Sequence, residues 1–103
     1  MNYIGFIQYC KKFDKKGFSR GMVLNALITK IANRFDWNLE TRYRDDGVMY
    51  VAVKDVRNMP LEYQEGEGVL TVLEPLLAKV MKRAREEVAS LSALLDSAEL
   101  SMK

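Results

Sequence analysis

Leu77, Met81, Ala84, Val88, Leu91, Leu95, Ala98 and Met102 follow one another at alternating steps of four and three residues without interruption. A repeat averaging 3.5 residues keeps them all on one line of an α-helix, so the stretch is a heptad seam. A strand, whose side chains alternate with period two, would scatter them over both faces. The spacing predicts a long C-terminal helix over about 72–100, with Thr71 and Glu74 as a capping box and Pro75 in the first turn. Leu73, Leu76 and Val80 broaden the apolar stripe at its start, as on a helix lying against a core. Beyond Ala84 the stripe narrows to the seam and Leu94. The first half is therefore expected to pack on its own domain, and the second to need another surface. The same helix of a second copy would supply it, making a helix-mediated homodimer in which Ala84 and Ala98 let the backbones approach closely. The flanking positions show few complementary charges, and parallel and antiparallel pairing both stay open. Lys82 with Glu86 and Arg83 with Glu87 are four apart and are expected to support the helix locally.

The rest of the chain reads as a small α+β core. Phe6, Tyr9, Cys10 and Phe13 share one face of a first helix over about 2–13. Asp14 and Gly17 break it, and Ser19 is the expected N-cap of a second helix over about 20–35. Val23, Leu24, Leu27, Ile28, Ile31 and Phe35 give that helix a wide apolar stripe, the mark of a central element. Two runs rich in aromatic and β-branched residues, about 37–44 and 48–56, flank Asp45, Asp46 and Gly47 and predict a β-hairpin. A two-residue turn would mix apolar and charged side chains on both faces. A three-residue loop with Gly47 left-handed instead pairs Tyr43 with Met49, Thr41 with Val51 and Leu39 with Val53, and one face becomes coherently apolar. The following RNMPLEYQEGEG, with Pro60, Gly66, Gly68 and three glutamates, reads as a mobile acidic connection. The 103 residues are thus expected to form one domain: a helix-helix-hairpin core with its acidic connection over 1–70, and the long helix over 71–103.

Composition narrows the chemistry. Histidine is absent and Cys10 is the only cysteine, which removes histidine acid/base catalysis, the common zinc sites and an internal disulfide. Gly66 and Gly68 sit among glutamates that would repel a phosphate, so a nucleotide loop is not expected. The adjacent Asp45 and Asp46 lack the spacing of a calcium loop. The serines near the C-terminus have no activating base. No enzyme activity, cofactor or metal is expected, and Cys10 is expected to be core rather than reactive thiol. No run of ~18 apolar residues occurs and the amino terminus lacks the features of a secretory signal, so a cytoplasmic protein without a membrane partner is expected.

Two binding surfaces follow from this layout. Residues 1–44 carry nine Lys or Arg against three acids, and residues 45–78 two against seven. Arg42, Arg44, Tyr50 and Lys54 on the polar hairpin face, with Lys30 and Arg34 on the preceding helix, would form a basic surface. Met59, Leu61 and Tyr63 interleaved with Glu62, Glu65 and Glu67 would form an acidic partner loop with apolar anchors. Helices followed by a hairpin and a dimerising helix resemble the winged-helix architecture, which implies dimeric DNA binding; that fold normally places three helices before the hairpin, where this chain has two. The leading expectation is a small non-enzymatic regulator, inhibitor or adaptor acting by protein contact, similar in size and style to phage accessory proteins that block host factors. The alternative is a winged-helix-like DNA-binding regulator.

Overall fold

The computed structural model describes residues 3–102. Its elements are α1 (Tyr3–Phe13), α2 (Phe18–Arg34), β1 (Asn38–Tyr43), β2 (Val48–Lys54), β3 (Pro60–Glu67) and α3 (Val69–Ser101). The strands form one antiparallel sheet in the order β1-β2-β3, and the arrangement is α+β. The expected first helix is present from Tyr3; residue 2 lies outside the described residues.

The hairpin register is the one that segregates apolar from polar side chains. Leu39 faces Val53, Thr41 faces Val51 and Tyr43 faces Met49. Gly47 has φ of 92°, the left-handed geometry that closes the three-residue loop. Met49, Val51 and Val53 thus point to one face, where Phe6, Tyr9, Leu24, Ile28, Val72, Leu73, Leu76 and Val80 from the three helices bury them. The opposite face, carrying Glu40, Arg42, Tyr50 and Lys54, is the polar side of the hairpin.

The acidic connection expected after residue 56 is corrected: Pro60–Glu67 is the third strand, paired along β2 with a bulge at Val53/Lys54. Its register puts Glu62, Gln64 and Gly66 opposite Val53, Val51 and Met49, on the helix-facing side. That side is polar because α3 brings cations to it. Arg83 meets Glu62 at 3.1 Å, and Lys79 donates to Gln64 Oε1 at 2.8 Å. The turn leading into β3 is held by Asp55, whose Oδ1 accepts the N–H groups of Arg57 and Met59, both at 2.9 Å.

Helix starts also differ from expectation. Gly17, not Ser19, precedes α2, and its N–H is accepted by Asp14 Oδ1 at 3.0 Å. The other oxygen of Asp14 accepts the N–H of Val69 at 2.8 Å, so one carboxylate serves the starts of both α2 and α3. Thr71 and Glu74 lie inside α3, which begins at Val69 rather than near residue 72. Tyr9 completes this junction. Its hydroxyl donates to Gly47 O at 2.6 Å and accepts from Gly68 N at 3.0 Å, tying the hairpin tip to the root of the long helix. At Gly21, a Cβ would overlap the Val69 side chain and stand 2.9 Å from Phe6 Cζ, so glycine is what lets three helices converge there.

Candidate interaction surfaces

Within α3, Val69, Val72, Leu73, Leu76 and Val80 are fully buried. Leu77, Met81 and Ala84, the first members of the seam, are half-buried, Leu77 and Ala84 against the core. The body of the protein ends there. Arg83 is held by Glu62 and by Leu61 O at 3.1 Å, and Lys79 by Gln64 and by Tyr63 O at 3.1 Å. Arg83 therefore pairs across to β3, not with Glu87 as its spacing suggested.

Beyond this point the seam is uncovered. Val88, Leu91, Leu94, Leu95 and Met102 are 57, 56, 65, 59 and 87% exposed, and Ala98 is exposed as well. The stretch from 85 to the helix end is ~25 Å long at 1.5 Å per residue. It makes the molecule 61 Å long against 24 and 19 Å in the other directions, with a radius of gyration of 16.5 Å. A compact domain of this size would have about 13 Å. At the root of the projection, Ile31, Arg34 and Phe35 at the end of α2 face Ala84, Arg85, Val88, Ala89 and Ser92 across an open, mainly apolar groove of about 540 Å3. Phe35 is fixed there by stacking on Trp37 at 4.7 Å.

Of the expected partner loop, Leu61, Glu62, Tyr63, Glu65 and Glu67 lie on strand β3, and Met59 lies just before it. Met59 and Tyr63 are exposed, Glu65 and Glu67 are exposed beside them, and Leu61 is half-buried against the core. Glu62 is turned inward to Arg83. Strand parity turns Glu62 inward and leaves Tyr63, Glu65 and Glu67 outside, which a loop would not have imposed, whereas Leu61 lies beside the bulge at Val53/Lys54 where the alternation breaks.

The expected basic surface does not come together as one patch. Arg42, Tyr50 and Lys54 lie on the open face of the sheet, whereas Lys30 and Arg34 lie on α2 in the helical layer covering the other face. The hairpin cations are also engaged. Glu40 accepts from Arg42 Nη2 at 2.6 Å and binds Lys54 Nζ at 2.7 Å, and Arg44 pairs with Asp46 at 2.6 Å. Lys54 first, and then Arg42, hold the Glu40 carboxyl below its usual range. Glu40 is not among the expected site residues, yet strand parity places it with Arg42 and the neighbouring Lys54. An aromatic row crosses the same face: Arg42 lies 5.9 Å from the Tyr50 ring, Tyr50 6.0 Å from Tyr63, and Lys79 Nζ 5.9 Å from Tyr63.

Reactive groups are few. Cys10 is 2% exposed, and burial pushes its thiol up to about 11. The same cause raises Tyr43 to about 12. Among the described residues no cluster of His, Cys, Asp or Glu could hold a metal ion, and no helix is long and apolar enough to cross a membrane. Comparison with known proteins finds no family model, no curated protein and no solved structure that matches this chain.

Proposed function

We propose that this chain is a small protein-binding module, a regulator, inhibitor or adaptor without a catalytic role, that works as a helix-mediated dimer. The observation that carries this reading is the seam of α3: one helix, one uninterrupted repeat, half-buried up to Ala84 and bare from Val88 onward. An isolated helix of that length is marginal in water, and the apolar line gives a reason for it only when something lies along it. A protein surface supplies the match. The exposed Met59 and Tyr63, flanked by Glu65 and Glu67, add a second apolar-acidic contact site on the sheet.

Light scattering on the intact chain and on a version ending at Arg83 tests this. The intact chain is expected at twice its monomer mass and the shortened one at monomer mass; monomer mass for both removes the association. Binding through apolar anchors responds little to salt, whereas nucleic-acid binding weakens by orders of magnitude between low and moderate salt. A retarded band with random duplex DNA at low salt, lost at moderate salt, would overturn the protein-binding reading.

A further inference from the structure

We infer that the second copy lies antiparallel along α3, with its C-terminal tip seated at the groove where α2 ends. This rests on the self-association proposed above and adds its direction and register.

In heptad terms Met81, Val88, Leu95 and Met102 occupy position a, and Leu77, Ala84, Leu91 and Ala98 position d. Reversing one helix sets a residues opposite d residues of its mate. One register covers the whole bare stretch: Ala84 opposite Met102, Val88 opposite Ala98, and Leu91 opposite Leu95, each occurring twice about a two-fold axis. Small meets large in the outer layers and leucine meets leucine in the middle, so the layers are of similar thickness, as close packing requires. In a parallel pair each residue would meet itself. Alanine layers at 84 and 98 would then alternate with wide leucine and methionine layers, and the helices would be held apart at the one and gapped at the other.

The flanks agree. Antiparallel helices face e against e and g against g, and in this register Arg85 meets Glu99 twice, Ser92 meets Ser92, and Leu94 meets Leu94 on the two-fold axis. All are exposed in the single chain. The parallel arrangement sets Leu94 against Glu99 and Glu87 against Ser92, with no opposite charges in contact. The groove at the helix root adds residues of α2 to this match. Arg34 and Arg85 line it together with Ala84 and Val88, so the incoming tip brings Glu99 to two cations and Met102 onto Ala84, beside Ile31 and Phe35. The tip carries Asp96 and Glu99 against Lys103, and the root Lys82, Arg83 and Arg85 against Glu86 and Glu87, a small charge difference in the same sense. Opposed helix dipoles favour the same direction.

Single-cysteine crosslinking of the full chain decides the direction. Cys10 stays in place, because it is buried. Leu94→Cys is expected to form a disulfide-linked dimer under mild oxidation. Ala98→Cys is expected not to, since the two residues would stand ten positions apart along the axis, ~15 Å, beyond the ~7 Å between Cα atoms that a disulfide spans. Crosslinking by Ala98→Cys and not by Leu94→Cys, in a chain of dimer mass, overturns the antiparallel register and leaves self-association standing. Monomer mass for the unsubstituted chain overturns both, and assigns the seam to a different protein. The flank contact is tested by charge exchange: Arg85→Glu should weaken the dimer about tenfold, replacing two attractive pairs by repulsive ones. Adding Glu99→Arg should restore it; no recovery in the double variant overturns the register.

Discussion

The two halves of α3 share one repeat and differ in everything the repeat touches. From Val69 to Ala84 the helix has a broad apolar face, with Val72, Leu73, Leu76 and Val80 sunk between α2 and the sheet, and its polar rim is clamped to β3 through Lys79 and Arg83. From Arg85 onward only the narrow seam persists, and among the described residues Val88, Leu91 and Leu95 stay more than half exposed. A seam alone does not distinguish a helix that finishes a core from one that begins an interface. The width of the apolar face does, because a core surrounds a helix more fully than a single neighbouring helix can.

The strongest way to break this distinction is to truncate one leucine in each half. Leu76→Ala should lower the urea-unfolding free energy by about 3 kcal/mol through lost burial and the cavity left behind. Leu91→Ala, measured dilute enough to keep the chain monomeric, should change it by less than ~0.5 kcal/mol. Equal losses at both positions would mean that the distal half is covered within the chain. Next in size is the convergence of helices at the root of α3. Gly21→Ala forces a methyl into Val69 and Phe6 and should cost about 1–3 kcal/mol in the same assay; a neutral result would show that the proximal half is loosely packed.

Asp14→Ala removes one acceptor from two helix starts and should cost about 1–2 kcal/mol. The loss should appear together with faster amide exchange at Val69 and Gly17, and unchanged exchange at both would show that the carboxylate does not hold them. The remaining effect is alkaline. The folded-state pKa of Cys10 is raised from 9.0 to about 11, so its contribution is complete below pH 9 and is lost as pH rises towards 11. The unfolding midpoint should fall across that window, and less steeply in Cys10→Val. An identical slope would separate Cys10 from the alkaline response.

What could be read from the sequence follows the same contrast. The hairpin register and the bare seam were legible because one face of each is apolar and the other is not, at Leu39, Thr41 and Tyr43 in the first and at Val88, Leu91 and Leu95 in the second. Strand β3 was hidden because its inward positions are Glu62, Gln64 and Gly66. Their burial makes sense only once Lys79 and Arg83 arrive from α3, 15 to 21 residues away. Gly and Glu in alternation otherwise look like a solvated loop. The cap at Val69 was beyond reach for the same reason, since its acceptor lies 55 residues earlier. Glu40 was within reach. Its parity with Arg42 and its place beside Lys54 follow from the hairpin register alone, and they predict that the cations there are neutralised.

Arg83, gripped by Glu62 and the carbonyl of Leu61, is where the long helix leaves its support. It therefore sits at the fulcrum of a lever. Roughly 25 Å of unsupported helix lies beyond it, so a tilt of about 10° at this point swings the far end by about 4 Å, close to the width of a side chain. Small adjustments at the edge of the sheet are in this way magnified at the place where a neighbouring molecule would have to be met.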